Sequence, residues 1–225
     1  MGPARARTQR AIVFEPMHAT RITGFASLPE RVRTFIALRL DATVEHGIAA
    51  LIDRLRTPES GDQESSIRWV RSANFHLTLF FLGPAVPRER LVPIAQALGA
   101  IAEATAPFVI AARGVGAFPN LARPRVIWIG LEGGELSALA ARVANAAARC
   151  GFTPESRAYT PHLTIGRVRS LRPPQRLRKS LGDAADLSFG VSRIEGVVLY
   201  RSELGPRSST YHELAAFPFG VRAHG

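Results

Sequence analysis

Residues 76–83 read HLTLFFLG and residues 162–168 read HLTIGRV, so the tripeptide His-Leu-Thr occurs twice, each time opening an apolar stretch. Because the chain has only six histidines in 225 residues, two chance copies are expected on the order of 4 times in 10,000. Each stretch is short, rich in β-branched or aromatic residues and typical of a β-strand. The repeat therefore predicts two similarly built halves, each contributing one motif strand.

Strand geometry predicts what each copy presents. Side chains two residues apart in an extended chain point to the same face, so His76 and Thr78 are expected to share a face. The pair His162 and Thr164 repeats this arrangement. The interleaved apolar residues are expected to face a core beneath the site: Leu77, Leu79, Phe81, Leu163 and Ile165. The two motifs are therefore predicted to meet in a groove between two lobes.

Two imidazoles and two hydroxyls suit acid–base chemistry on a phosphate ester. In displacement at phosphorus the attacking and leaving oxygens lie roughly in line, so a base and an acid are needed on opposite sides. Imidazole has a pKa of ~6.5, which allows one neutral and one protonated ring near neutral pH. The threonine hydroxyls can hydrogen-bond the non-bridging oxygens. Neither motif strand contains Asp, Glu or Cys, and no metal or other cofactor is expected.

With these motifs the chain resembles the 2H phosphoesterases, which are named for two His-x-Thr motifs. Within that superfamily it is similar to the RNA 2′,3′-cyclic phosphodiesterases, also called 2′-5′ RNA ligases. The likeness holds in order and spacing from about Arg33 to Phe219. Further matching stretches are RTFIAL at 33–38, WV at 69–70, NF at 74–75, FP at 118–119, RPRVIW at 123–128 and LYRSEL at 199–204.

The resemblance implies hydrolysis of a ribose 2′,3′-cyclic phosphate at an RNA or nucleotide end, leaving a 2′-phosphate, and a reverse reaction that joins RNA ends through a 2′-5′ linkage. It implies that His76 is the proton donor and His162 the proton acceptor. The implied phosphate-binding residues are Thr78, Thr164 and Arg167. The candidate base or RNA contacts are Phe35, Arg125 and Tyr159.

Two positions do not fit the resemblance directly. Strand alternation puts Arg167 on the face opposite His162, so its phosphate contact requires a bulge or a strand end near Gly166. Relatives often carry a basic residue at the position of Phe80. If that basic residue touches RNA, this chain has one contact fewer.

The chain is strongly basic, with a formal net charge of +11 and a sequence pI near 11.4. Such a charge attracts phosphates and makes binding sensitive to salt. Nearly all of the charge is arginine, because Lys179 is the only lysine. Arginine suits bidentate phosphate contacts, although the coding bias of an Ala- and Arg-rich genome accounts equally well for most of these residues.

Hydrophobic periodicity indicates an α+β fold of two similar lobes, each an antiparallel sheet backed by helices. Helices are predicted from Asp41 to Arg56, with Asp41 as a cap, from Arg88 to Ala104, and from Leu136 to Cys150. Strands besides the two motif strands are predicted at residues 34–40, 108–112, 126–131, 197–201 and 211–217.

The predicted organisation is a flexible basic extension at residues 1–31, a bilobal domain at 32–220 and a tail at 221–225. Residues 57–66 and 170–180 are predicted to be connecting loops. The single cysteine, Cys150, excludes an intramolecular disulfide and suits a reducing cytoplasm. The chain has no apolar run long enough for a membrane span, and a monomer is expected.

Two alternatives to an RNA phosphodiesterase remain open on the sequence. The first keeps the fold and changes the substrate to a small cyclic nucleotide, a 2′-5′ oligonucleotide or an ADP-ribose cyclic phosphate. The second is a non-catalytic module that holds RNA ends in the same groove. The intact pair of His-Leu-Thr motifs argues against the second alternative. Activity on defined substrates would distinguish the first alternative from an RNA phosphodiesterase.

Overall fold

A computed structural model describes residues 21–22, 24–56, 67–169, 175–205 and 209–220. The strands are β1 Arg21–Ile22, β2 Arg31–Leu38, β3 Ile67–Trp69, β4 Leu77–Pro87, β5 Phe108–Phe118, β6 Val126–Glu132, β7 His162–Val168, β8 Ser188–Ile194, β9 Gly196–Leu204 and β10 Ser209–Pro218. The helices are α1 Ala42–Leu55, α2 Leu91–Glu103, α3 Gly134–Arg149 and α4 Gln175–Asp183.

The strands form two antiparallel sheets, which confirms the predicted α+β class. The first sheet has the order β1-β10-β9-β2-β4, and the second has the order β3-β7-β6-β5-β8. The motif strand β4 is therefore in the first sheet and the motif strand β7 in the second. None of the described helices is long and apolar enough to cross a membrane.

The two lobes are not successive halves of the chain. Strand β3 leaves the N-terminal half to pair with β7, whereas β9 and β10 return from the C-terminal end to pair beside β2. The helices cross over as well, because α1 follows β2 but packs against β8, and α3 follows β6 but packs against β4. Each lobe is thus assembled from both halves of the sequence.

The predicted helices are present with small shifts. Helix α1 begins after Asp41, as expected, but the Asp41 carboxylate accepts a hydrogen bond from the backbone N–H of Arg193 (2.8 Å) and does not cap its own helix. Helix α2 begins at Leu91 after a 3₁₀ turn, which puts Pro93 in the first helical turn. Proline is tolerated there because the first N–H groups of a helix have no partner within the helix.

Four of these elements were not expected from the sequence: the short strands β1 and β3, strand β8 and helix α4. The predicted connection at 170–180 contains the start of α4, which buries Leu177 and Leu181 one turn apart. Strand β8 was not predicted either. It lies at the edge of its sheet, where most of its side chains are exposed or only partly buried, so its sequence lacks the apolar pattern of a core strand.

Several predicted segments lie wholly or partly outside the described residues. The loop at 57–66, residues 170–174 and the tail at 221–225 belong to this group, as do residues 1–20 and 23 of the predicted extension. Within that extension, Arg21 and Ile22 pair with Ala216 and Ala215 of β10. The division of the chain at residue 31 stays a prediction.

Candidate active site

The two motif histidines are held in the same way. The Nδ1 of His76 lies 2.7 Å from the backbone carbonyl of Asn74, and the Nδ1 of His162 lies 2.7 Å from that of Thr160. A carbonyl only accepts hydrogen bonds, so Nδ1 carries the proton in both rings. In a neutral ring the free lone pair is then on Nε2, the nitrogen on the far side from the carbonyl. Each motif therefore offers one Nε2 for proton transfer.

Aromatic rings flank both imidazoles. In the first lobe the His76 ring lies 4.8 Å from the Phe35 ring and meets Tyr211 edge-on at 5.1 Å, measured between centroids. In the second lobe the His162 ring meets Phe118 edge-on at 5.1 Å, and Trp128 lies 6.4 Å away. These contacts restrict the rotation of the two rings, so each imidazole is positioned before any substrate binds.

Trp128 depends on a glycine in the neighbouring strand. Its cross-strand partner in β5 is Gly116, and a Cβ atom built at that position would overlap the indole ring. A larger residue would therefore push the indole away from its place beside His162 and Phe118. Gly116 provides the space for the aromatic wall of the second lobe.

A β-bulge in each motif strand changes which side chains reach the groove. In β7, Thr164 pairs with Trp128 and Gly166 pairs with Ile127, so Ile165 is an extra residue. Alternation inverts after a bulge, which brings Arg167 to the same face as Thr164. The structure thus contains the bulge that the sequence required for Arg167 to face the groove.

The same irregularity in β4 corrects one sequence expectation. Thr78 pairs with Ala37 and Phe80 with Ile36, which leaves Leu79 as the extra residue. Phe81 was expected in the core, but the inversion turns it toward the groove face. Phe80 takes the buried position instead, with 6% of its surface exposed.

The electrostatics connect the two lobes. Burial lowers the pKa of His76 to about 4, and the Nδ1 hydrogen bond to Asn74 opposes that shift. The positive charges of His162 and Arg167 lower the pKa of His76 further. His162 and Arg167 belong to the second sheet and His76 precedes a strand of the first, so this electrostatic coupling acts between the two lobes.

Two more residues, Arg33 and Tyr211, border the site. The guanidinium carbon of Arg33 lies 4.4 Å above the ring of Phe81. Burial raises the pKa of the Tyr211 hydroxyl, and the charges of Arg167 and Arg33 oppose that shift, so Tyr211 lies within electrostatic reach of both. A sequence signal for Arg33 was available, because residues two apart in a strand share a face and Arg33 precedes Phe35 by two.

The three candidate RNA contacts occupy different environments. Phe35 is only 5% exposed and packs against Tyr200 and Tyr211 as well as His76, so its ring supports the histidine and leaves little surface for a base. The hydroxyl of Tyr159 donates a hydrogen bond to the backbone carbonyl of Thr78 (3.2 Å), and its ring packs against the core.

Arg125 lies at the end of the second motif strand. Its side chain is exposed, its backbone N–H donates to the carbonyl of Phe118 (2.7 Å), and its carbonyl accepts from the N–H of Val168 (2.9 Å). This places Arg125 beside the residues that follow Arg167. Contact with RNA stays a prediction for Arg125.

In the part of the chain that the structure describes, no group of three or more His, Cys, Asp and Glu side chains is placed to hold a metal ion. The groups that converge on the reacting centre are two imidazoles, two threonines and the guanidinium of Arg167, and Arg33 lies at its edge. Such a set carries positive charge and hydrogen-bond donors, which is suited to a phosphate ester.

Comparison with known proteins gives consistent results. Residues 44–203 match the model of the 2′-5′ RNA ligase superfamily. The RNA 2′,3′-cyclic phosphodiesterase of Methanothermobacter thermautotrophicus is 33% identical over 188 residues, covering 83% of this chain and 98% of that protein. The protein of the same name from Archaeoglobus fulgidus is 34% identical over 187 residues, covering 83% of this chain and 99% of that protein.

Solved structures show the same architecture. Protein TT0787 of Thermus thermophilus is 28% identical with a TM-score of 0.67, covering 85% of this chain and all of that one. The LigT protein of E. coli, solved in complex with 3′-AMP, is 25% identical with a TM-score of 0.66, covering 84% of this chain and 99% of that one.

Proposed function

The chain belongs to the 2′-5′ RNA ligase superfamily, and we propose on that basis that it is an RNA 2′,3′-cyclic phosphodiesterase. It opens the cyclic phosphate at an RNA end and leaves a 2′-phosphomonoester. Two curated relatives that match over more than four fifths of this chain carry that name. The observation that carries the proposal is the pair of histidines with identical Nδ1 anchors, because each leaves one Nε2 for proton transfer across a shared groove.

In the proposed mechanism His162 is the base and His76 the acid. The Nε2 of His162 takes a proton from water as the water oxygen bonds to phosphorus. The bond between phosphorus and the 3′ oxygen breaks in line with this attack, and the Nε2 of His76 donates a proton to the departing oxygen. Thr78, Thr164 and Arg167 hold the non-bridging oxygens and stabilise their developing charge.

The acid role requires a proton that His76 lacks in the empty groove at neutral pH. Its pKa is about 4 because of burial and neighbouring positive charge. A bound phosphodiester brings a negative charge beside the ring, which favours the protonated form. Substrate binding is therefore expected to raise the pKa of His76, so that the ring becomes protonated as the complex forms.

Ligation follows from the same chemistry with a different nucleophile. If the 5′-hydroxyl of a second RNA replaces water, attack on the cyclic phosphate breaks the same bond to the 3′ oxygen. The product is then a 2′-5′ phosphodiester, and the acid and base keep their positions. We propose that ligation is a secondary activity of this groove, limited by the far higher concentration of water.

The proposal includes a substrate class, an assembly state and a location. RNA ends are the expected substrate, and small cyclic nucleotides are the alternative. The protein is proposed to act as a monomer, since both lobes of the groove come from one chain, and to work in the cytoplasm. No cofactor is proposed, because the two histidines supply both proton transfers.

The first experiment is incubation of the purified protein, in EDTA, with a short RNA that ends in a 2′,3′-cyclic phosphate. The variants are His76→Ala and His162→Ala, and His46→Ala is the matched control because His46 is exposed on α1. Wild type and control are expected to form a 2′-phosphate, whereas both motif variants lose at least about 100-fold in rate. A 3′-phosphate product, full activity of either motif variant or a strict metal requirement would contradict the proposal.

A further inference from the structure

The bulges make the two motif strands equivalent beyond the His-Leu-Thr tripeptides. Five residues after His162 is Arg167, and five residues after His76 is Phe81, and both face the groove. One lobe therefore has a cation at this position and the other has an aromatic ring. At this position of its motif strand, the first lobe has no positive charge of its own for a negatively charged substrate.

Arg33 provides that charge from the neighbouring strand. Its guanidinium carbon lies 4.4 Å above the Phe81 ring, a cation–π distance. A guanidinium stacked by its face keeps its N–H edges free, and those edges suit the two oxygens of a phosphate. The aromatic ring thus acts as a platform that holds a cation over the groove.

Arg33 differs from two other arginines, Arg39 just after β2 and Arg201 in β9. Arg39 pairs with Glu213, and Arg201 pairs with Glu203. Among the residues that the structure describes, Arg33 forms no ion pair. Its charge is felt by Tyr211, whose ring also touches His76. An un-neutralised cation at the edge of the reacting centre is therefore available for an anion.

We propose that Arg33, stacked on Phe81, binds the phosphodiester on the 5′ side of the cyclic phosphate. This inference rests on the proposed function and names its substrate class as oligoribonucleotide ends. The cyclic phosphate is the 3′ end of the RNA, so the nearest other phosphate of the RNA lies on the 5′ side of the terminal nucleotide. The Cα atom of Arg33 precedes that of Phe35 by two residues, about 6.4–6.8 Å along β2, and Phe35 contacts His76. That spacing is similar to the separation of adjacent phosphates in a single strand.

The proposal predicts selective loss of activity with length. For an RNA tetranucleotide ending in a 2′,3′-cyclic phosphate, Arg33→Gln is expected to lower kcat/KM about 10- to 100-fold, mainly through KM, because a charge-assisted phosphate contact is lost. For a nucleoside 2′,3′-cyclic phosphate with a free 5′-hydroxyl, the same variant should change kcat/KM less than about 2-fold, since the contacted group is absent. On the tetranucleotide, the kcat/KM of Arg33→Lys should lie between the values of wild type and Arg33→Gln, because lysine keeps the charge but lacks the planar guanidinium.

The experiment measures both substrates with wild type, Arg33→Gln, Arg33→Lys and Phe81→Leu. Phe81→Leu keeps an apolar residue but removes the platform, and it is expected to reduce activity on the tetranucleotide alone. Arg149→Gln, on the exposed side of α3, is the control for the loss of one positive charge. The slope of log(kcat/KM) against log[salt] for the tetranucleotide should become shallower by about 0.7 in Arg33→Gln and stay unchanged in the control.

The outcomes separate this inference from the proposed function. If wild type cleaves the substrates and Arg33→Gln affects both equally, or neither, the inference is overturned and the proposed function stands. If wild type cleaves neither, the proposed function fails and the inference falls with it. A loss confined to the tetranucleotide, with an unchanged control, supports both.

Discussion

The hydroxyl of Tyr159 donates a hydrogen bond to the backbone carbonyl of Thr78 (3.2 Å). Tyr159 comes shortly before the second motif strand, and Thr78 lies within the first, so this bond crosses from one motif to the other. Burial raises the pKa of the Tyr159 hydroxyl, which keeps it protonated and able to donate. The distance between the two halves of the site is therefore set partly by a residue that the sequence indicated as an RNA contact.

Tyr159→Phe removes this single hydrogen bond and leaves the ring in place. We expect the free energy of unfolding to fall by about 1 kcal/mol, the usual net contribution of a buried hydrogen bond. Turnover should also fall several-fold, since small misplacement of catalytic groups is costly. Urea denaturation and steady-state kinetics measure the two effects. An unchanged KM for oligonucleotides would agree with a positioning role, whereas a rise in KM with normal kcat and stability would restore the RNA-contact interpretation.

His76 is expected to titrate near pH 4 in the free protein, well below the ordinary pKa of histidine, because burial disfavours the charged ring. Arg167→Gln removes a positive neighbour and should raise the pKa of His76. Inorganic phosphate or a nucleotide 3′-phosphate should raise it further in wild type. NMR titration of the imidazole carbon-bound protons measures all three, and a pKa near 6.5 in the free protein would contradict the prediction.

The rate of hydrolysis is expected to depend on pH as a bell. The rising limb reflects loss of a proton from the base, and the falling limb reflects loss of a proton from the acid in the substrate complex. The two apparent pKa values belong to the coupled pair of histidines and not to either residue alone. Rates from about pH 4 to 10 with a cyclic phosphate substrate test this, and a flat profile would contradict two-histidine catalysis.

Glu45 in α1 is buried, and its burial raises its pKa to about 7, with Arg39 opposing the shift and Asp41 adding to it. The unfolded chain releases this proton near pH 4.5, so the folded state loses relative stability as pH rises from about 4.5 through 7. We therefore expect the effect of Glu45→Gln on the free energy of unfolding to depend on pH. The effect should be more stabilising at pH 8 than at pH 4.5, by about 1–2 kcal/mol. Denaturation at the two pH values checks the sign, and an equal effect at both would contradict it.

Thr34 in β2 is fully buried, and its hydroxyl has no hydrogen-bond partner among the described residues. An unpaired buried hydroxyl is destabilising by about 1–3 kcal/mol. Thr34→Val keeps the shape, removes the hydroxyl and is expected to stabilise the protein by about 1 kcal/mol without changing turnover. Thr78→Val serves as the contrast, since the proposed mechanism predicts a loss of activity there. A destabilised Thr34→Val variant would show that the hydroxyl has a partner in solution.

Local patterns were sufficient for much of the architecture. The predicted helix at 41–56 is α1, and the helix predicted to end at Cys150 is α3, followed by Gly151 in a left-handed conformation. Period-2 patterns located both motif strands. These signals work because helix and strand periodicity depend on residues close in the chain. Helix α4 was missed because Leu177 and Leu181 are the only buried residues of its polar sequence.

Sequence alone determined that two histidines and two threonines occur in matching strand frames, because that follows from a repeated tripeptide and a period of two. Only the tertiary structure decided which later residues join them. Arg167 and Phe81 reach the groove because each motif strand gains one residue, relative to the strand it pairs with, between its threonine and that position. Such a bulge is a property of the pairing. The stacking of Arg33 on Phe81 and the bond from Tyr159 to Thr78 also depend on chain segments that meet only after folding, so no local pattern in the sequence encodes them.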